Sequence, residues 1–387
     1  MLNLKLSGDP VRGELFKNNC TYAPLEELPD FHLLSVKGFK CVIHNSIIDA
    51  IGHTPLVRLR LDERAMGKVF AKLELLNPFG MKDRVAKRII LEAKLNNVLK
   101  DGMPIIESSS GTMACGLALV GTYLGHEVHI VTDPRIDDIT LAKLITLGCH
   151  VHIVEKMGSH GWQSARLELL NELRQELQES FCPRQYENPE NPRAYIELAH
   201  ELLDDLGHID ILVASVGSGG SLSGTAGELK RFCPDMKVIA VDATGSVIFG
   251  QPDRPGRLQS GLGNSLVAPN VHHELVDEVH WLNDEEAFAA TLQLARTEKI
   301  FAGNSSGSVY AVSRWVSSQT TPDTNIVAIL PDRGDRYINT IYNDAYRIEK
   351  DINRLSLPEA PQAVSPHTVV YSWSYTSLRE PPTMENT

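Results

Sequence analysis

The octamer NPFGMKDR, Asn77 to Arg84, holds a lysine where chemistry could be done. The strand-like run VFAKLELL precedes it and a helix-like stretch from Asp83 to Leu99 follows, which puts Lys82 at a strand-to-helix junction. A lysine amine held at such a turn, partly desolvated and near the positive end of a helix, has a lowered pKa and can form a Schiff base with an aldehyde cofactor. Taken alone, the octamer is more simply a solvated patch of Lys82 with Arg84, Lys87 and Arg88, since short motifs match by chance.

Three further segments change that balance. SVGSGGSLSG follows the apolar run IDILVAS and precedes the helix-like TAGELKRF. Its glycines and serines let successive backbone amides converge on one point, and the helix start adds positive potential, so a phosphate dianion fits there without a lysine or arginine. A ligand-free tight turn would look the same. The run lacks the GKS or GKT ending of a nucleoside triphosphate loop and the GxGxxG of a dinucleotide fold, so the phosphate of another cofactor is expected. IIESSSGTMACGLAL runs an apolar strand through Ser108, Ser109, Ser110 and Gly111 into a helix that begins near Thr112. Hydroxyls and free amides at that start suit a carboxylate, although ordinary capping by Ser109 or Ser110 would also use them. NIVAILPDRGDRYINTIY ends a buried strand at Pro331 and Asp332 and adds a third polar cluster at a strand's carboxyl end.

The elements that must position these clusters are visible as alternating strand and helix patterns. PIIES, EVHIVTD and HVHIVE fall in one half, and IDILVAS, KVIAVDA and NIVAILP in the other. Such alternation predicts an α/β fold with two parallel or mixed sheets, each covered by helices.

In this order the segments resemble the fold-type II family of pyridoxal-phosphate enzymes, the group that holds cysteine synthase and cystathionine β-synthase. The resemblance runs from about Asn45 to about Ile348: NSIIDAIGHTPLVRL, the lysine octamer, the serine loop, RQYENPENPRAY, the glycine loop and LPDRGDRY. It implies pyridoxal 5'-phosphate as cofactor, held by Lys82, with Gly217, Ser218, Gly219, Gly220 and Ser221 around its phosphate. It places Ser109, Ser110, Gly111 and Gln185 at the substrate carboxylate. It also implies a small domain, 82–192, inserted in a large cofactor-binding domain, 45–81 and 193–350, with the active site in the cleft between them. A homodimer follows from the resemblance alone.

Three positions depart from the family pattern. One residue fewer separates the asparagine-proline pair from the lysine, so a tighter turn is expected at Phe79 to Met81. Thr112 stands in place of an asparagine that contacts the cofactor ring oxygen; a hydroxyl can make that bond with shorter reach. Arg333 stands in place of a serine or threonine beside the pyridine nitrogen, where a permanent charge would discourage ring protonation. VDATGSVIFG, IFAGNSSGS and ILPDRGDRY look most like the siderophore-pathway branch, which makes N-(2-amino-2-carboxyethyl)-L-glutamate, a 2,3-diaminopropionate precursor, from O-phosphoserine and glutamate. That likeness implies a transferase performing β-replacement on amino-acid substrates, with Arg135, Arg193 and Arg257 as candidate cations for the dianions. A cysteine synthase using sulfide or a thiol is the alternative within the class. A catalytically silent member of the fold, acting as a regulatory or binding partner, is the alternative outside it.

Composition agrees with such an enzyme. A chain of 387 residues suits two α/β domains, and a net charge of −12 argues against nonspecific binding to nucleic acid or anionic membranes. Cys20, Cys41, Cys115, Cys149, Cys182 and Cys233 form no CxxC pair, so reduced thiols are expected rather than disulfides. MLNLKLSGDP has no apolar core behind a basic start, and no apolar run is long enough to span a bilayer, so the expected compartment is the cytoplasm. His53, His126, His129, His152 and His160 are scattered, some alternating along strand-like runs, and are read as sheet residues rather than as metal ligands. Residues 1–44 are read as an N-terminal extension that packs on the body or across a dimer. The proline- and serine-rich segment 351–387 is read as a flexible or loosely docked tail.

Overall fold

The computed structural model describes residues 43–158, 162–352 and 354–379, so almost all of the N-terminal extension lies outside the described residues. The chain enters through β1 (Leu56–Arg58) and β2 (Lys68–Lys72), then α1 (Lys82–Leu95), β3 (Ile105–Ser108) and α2 (Thr112–Tyr123). It continues through β4 (Val128–Thr132), α3 (Asp138–Thr146), β5 (His150–Ile153), α4 (Trp162–Glu176), the short α5 (Glu190–Arg193) and α6 (Ile196–Leu206). Next come β6 (Ile211–Ser215), α7 (Gly220–Leu229), β7 (Lys237–Ala243), β8 (Glu278–Leu282), α8 (Asp284–Thr297) and α9 (Asn304–Ser318). The described chain closes with β9 (Asn325–Ile329), α10 (Asp344–Glu349), β10 (Gln362–Ala363) and β11 (Ser374–Ser377).

These strands make an eight-stranded mixed sheet in the order β1-β2-β9-β6-β7-β8-β11-β10 and a three-stranded parallel sheet in the order β3-β4-β5. The core strands β2, β9, β6, β7 and β8 run parallel. Their apolar runs are continuous because both faces are covered. On β6, Ile211 and Val213 join the cluster containing Leu294, Val309 and Val312 of α8 and α9, whereas Leu212 and Ala214 join the one containing Leu198 of α6 and Leu222 of α7. Both sheets belong to the compact unit that begins at His44. Among the described residues no helix is long and apolar enough to cross a membrane. Cys115, Cys149, Cys182 and Cys233 are free thiols.

Three sequence expectations are corrected. The tail is not loose over residues 356–379. β11 pairs antiparallel with β8, Trp373 is buried, and its indole Nε1 donates to His280 Nδ1 at 3.1 Å. The run VVYSWSYTS supplies enough aromatic surface to cover a sheet edge, which the surrounding prolines disguise. The helix expected over 83–99 begins one residue earlier and ends at Leu95. The helix after the glycine loop starts at Gly220, inside the loop, rather than at Thr225.

Arg84 is buried instead of solvated. Its guanidinium donates to Glu74 at 2.7 and 2.9 Å and to Glu201 at 2.9 Å, while Lys72 Nζ lies 2.7 Å from Glu201 and donates to the Thr54 carbonyl at 2.6 Å. This network ties β2 and the segment after it to α1 and α6. Burial alone would raise the Glu201 pKa, but the bonds from Arg84 and Lys72 outweigh it and hold that carboxyl down at about 2. Its contribution to stability is therefore full above about pH 4.5 and is lost as the pH falls toward 2. Arg84→Leu takes the guanidinium from the buried Glu74 carboxylate and leaves Glu201 with Lys72, and is expected to cost about 3–5 kcal/mol. Urea denaturation would show this; a change under about 1 kcal/mol would mean that the network is dispensable.

Candidate active site

Loops at the carboxyl ends of β3, β6 and β9 meet around a cavity of about 860 Å3, a volume suited to a small molecule. The lysine turn forms one wall. Asp83 Oδ2 accepts the amides of Phe79 at 2.7 Å and Gly80 at 3.3 Å, and Gly80 takes φ +135°, which only glycine adopts at low cost. A chain so folded delivers Lys82 as the first residue of α1. Its Nζ donates to Ser218 Oγ at 3.1 Å and lies 3.5 Å from the Tyr195 hydroxyl. Although the cavity leaves the side chain partly accessible, crowding by protein atoms removes much of its solvation and pulls its pKa down to about 8. The amine therefore has a substantial neutral fraction near neutral pH.

The glycine loop forms the facing wall. After β6 the chain passes through Gly217 and Ser218 to Gly219, the residue before α7, at φ +84°. The loop sits too close to its neighbours to carry side chains at its glycines. A Cβ on Gly217 would lie 2.7 Å from the Gly261 carbonyl oxygen, one on Gly219 2.7 Å from that of Asn270, and one on Gly220 2.1 Å from Asn191 Oδ1. Asn191 also donates to Ser218 Oγ at 3.2 Å. The first amides of α7 have no acceptor within the helix. A phosphate group therefore fits this turn, and with Lys82 opposite, the residues present fit pyridoxal 5'-phosphate.

The serine loop completes the site. Gly111, the residue before α2, has no side chain to cap the helix, and Ser109 Oγ accepts from the Gly111 amide at a long 3.5 Å. Ser109 N donates to the Val131 carbonyl at 3.1 Å, and Ser110 Oγ accepts from Arg166 at 3.4 Å. Gln185 is buried, and its carbonyl accepts from Asn191 at 2.6 Å and Asn270 at 3.1 Å. Of the expected residues, Lys82, Ser109, Ser110, Gly111, Thr112, Gln185, Gly217, Ser218, Ser221 and Arg257 line the cavity. Gly219 and Gly220 do not line it; they shape the turn from behind.

Three arginines are corrected. Arg333 Nε donates to the Leu75 carbonyl at 3.0 Å, and the residue does not line the cavity. Arg135 is a half-exposed partner of Asp133 at 2.8 Å, and Arg193 pairs with Glu190 at the surface. Local carboxylates capture both. The cavity cations are instead Lys82, Arg166, Arg174, Arg184, Arg257 and Arg336, against Glu107, Glu187 and Asp332. Burial pushes the Glu107 carboxyl up to about 7 and raises that of Asp332 as well, which makes the cavity still more positive. Arg336 lies three residues after Arg333 in LPDRGDRY and, unlike it, lines the cavity. It donates to Asp137 at 3.2 Å and lies 3.6 Å from Asp332. Arg166 carries no local signal on a helix rich in charged residues.

A family described as "Pyridoxal-phosphate dependent enzyme" matches residues 47–332. The chain is 38% identical over 313 residues to an N-(2-amino-2-carboxyethyl)-L-glutamate synthase of Cupriavidus metallidurans, covering 79% of this chain and 92% of the relative. It is 36% identical to one of Ralstonia nicotianae, covering 84% and 96%. Among solved structures, cysteine synthase from Entamoeba histolytica superposes with a TM-score of 0.75 at 28% identity, covering 83% of this chain and 98% of that one.

Proposed function

Because the chain belongs to the pyridoxal-phosphate dependent enzyme family and has its fold-type II architecture, we propose that it catalyses β-replacement on O-phosphoserine with the amine of glutamate, giving N-(2-amino-2-carboxyethyl)-L-glutamate. The observation that carries this reading is the charge of the cavity: among the described residues five arginines, besides Lys82, line it against three acidic residues, in a chain whose net charge is −12. A phosphorylated amino acid and a dicarboxylic amino acid need such a cavity, whereas sulfide does not. The names of the two relatives point the same way.

The cofactor, when bound, supplies an electron sink at the substrate Cα. Lys82 would hold it, and its Nζ, once free, would take the Cα proton. Ser109, Ser110, Gly111 and Gln185 would hold the substrate carboxylate through hydroxyl, amide and side-chain donors. Arg166, already 3.4 Å from Ser110 Oγ, and Arg336, beside Gly111, stand where a second anionic group could be gripped. The division into a small domain, 82–192, and a large one, 45–81 and 193–350, a homodimer, a cytoplasmic setting and a place in 2,3-diaminopropionate and siderophore synthesis belong to the same proposal through the resemblance.

The test is to supply O-phosphoserine or O-acetylserine with glutamate or sulfide, following phosphate or acetate release and product mass. Glutamate incorporation from O-phosphoserine is the expected result. Cysteine formed from sulfide, with glutamate never incorporated, would replace this reading with a cysteine synthase.

A further inference from the structure

Histidines that look scattered in sequence converge on the small sheet. The register of β4 and β5 pairs His129 with His150 and Val131 with His152, so strand alternation sets Glu127, His129, His150 and His152 on one face. Farther along the strands, Val131 and Val154 pack with residues of α4. The His129 ring stacks on those of His150 and His152, with centroids 4.6 and 5.3 Å apart, and its Nδ1 lies 3.1 Å from His152 Nε2. Ligand atoms of Glu127, His129 and His150 all lie within 4.8 Å of one another.

His129 is 8% exposed, and its Nε2 is buried with no hydrogen-bond partner; the Glu127 carboxylate, at 3.7 Å, is beyond hydrogen-bond range. The bond to His152 cannot repair this. If His129 Nδ1 donates, Nε2 is a bare lone pair in the interior; if His152 donates, Nε2 carries a proton whose nearest acceptor, the Glu127 carboxylate, stands off at 3.7 Å. A cation beside Nε2 answers the first case, with His152 taking the Nδ1 proton and fixing the tautomer from the outer sphere.

We propose that Glu127, His129 and His150 form a site for a first-row divalent transition-metal ion such as Zn2+ or Ni2+, oriented by His152. Two imidazoles and a carboxylate suit such ions and not Mg2+ or Ca2+, which prefer oxygen ligands. With metal–nitrogen distances of about 2.0–2.1 Å, tetrahedral ligands stand about 3.4 Å apart, so the present separations must close by about an ångström. Glu127 and His150 are exposed and can make that movement, His150 by also turning out of its near-parallel stack so that its lone pair meets that of His129, which stays fixed. None of the four residues lines the catalytic cavity. The ion would clamp β5, the edge strand of its sheet, to β4, a contact that the backbone ladder provides from one side alone.

The cofactor-loaded full chain, stripped with a chelator, should be titrated with Zn2+ against a competing indicator. One tight site per chain is expected, with affinity falling at least about tenfold in His150→Ala and in Glu127→Gln, both exposed positions where the fold should survive. Titrated with Cu2+, the protein should show hyperfine coupling to two imidazoles by electron paramagnetic resonance, reduced to one in His150→Ala. Circular dichroism would establish that each variant is folded. An absence of stoichiometric binding, or wild-type affinity in a folded His150→Ala protein, would overturn the proposal.

Discussion

Lys82→Ala is expected to lower turnover at least about a thousandfold, to remove the visible absorbance band of the lysine-bound cofactor, and to abolish covalent attachment of the cofactor on borohydride reduction. The size follows from the two duties proposed for the residue, holding the cofactor and moving the Cα proton. Among the described residues no other lysine lines the cavity. Fold stability should change little, because the amine reaches into a cavity and its desolvation disfavours the charged form that most lysines keep. A melting temperature near that of the wild type, combined with loss of both signals, would separate this result from unfolding. An unchanged absorbance band and activity in the variant would remove Lys82 from both roles.

Gly219→Val should weaken cofactor affinity by roughly 10- to 100-fold, measured by equilibrium dialysis or absorbance titration. Gly219 sits at φ +84°, and an added Cβ would come within 2.6 Å of Val271 Cγ2 and 2.7 Å of the Asn270 carbonyl oxygen. Strain of about 1–3 kcal/mol at one residue corresponds to about that range of affinity, provided that it is relieved by moving the turn whose amides face the phosphate. Gly207→Ala is a suitable control: this glycine also has positive φ, but nothing lies within 4 Å of its added Cβ. If the Gly219 variant folds and binds cofactor as the wild type does, the phosphate is held elsewhere.

How much of this was legible in advance depended on the range of each interaction. The core strands could be read because a parallel strand covered on both faces must be apolar at successive positions, as IDILVAS is. The lysine turn could be read because Asp83, four residues from Phe79, closes it locally. The docking of Trp373 could not, since its burial depends on the exposed edge of β8, more than 90 positions earlier in the chain. Arginines fared worst. Arg135 and Arg193 looked as suitable as Arg166 and Arg336; carboxylates pair with all four, but folding brings only the second pair to the cavity wall beside Ser110 and Gly111.

By itself the sequence determined the fold class, the family and the cofactor. Each rests on local strings, a lysine at a strand-to-helix turn and small residues before a helix, whose geometry is set within a few residues. Tertiary structure alone decided which charges line the cavity, that Arg333 turns toward Leu75, that the tail covers a sheet edge, and that Glu127, His129 and His150 meet. Long side chains reach several ångströms in any of several directions, and a strand's register with its neighbour selects which residues become adjacent. Both choices are made by partners distant in sequence, so no local pattern records them.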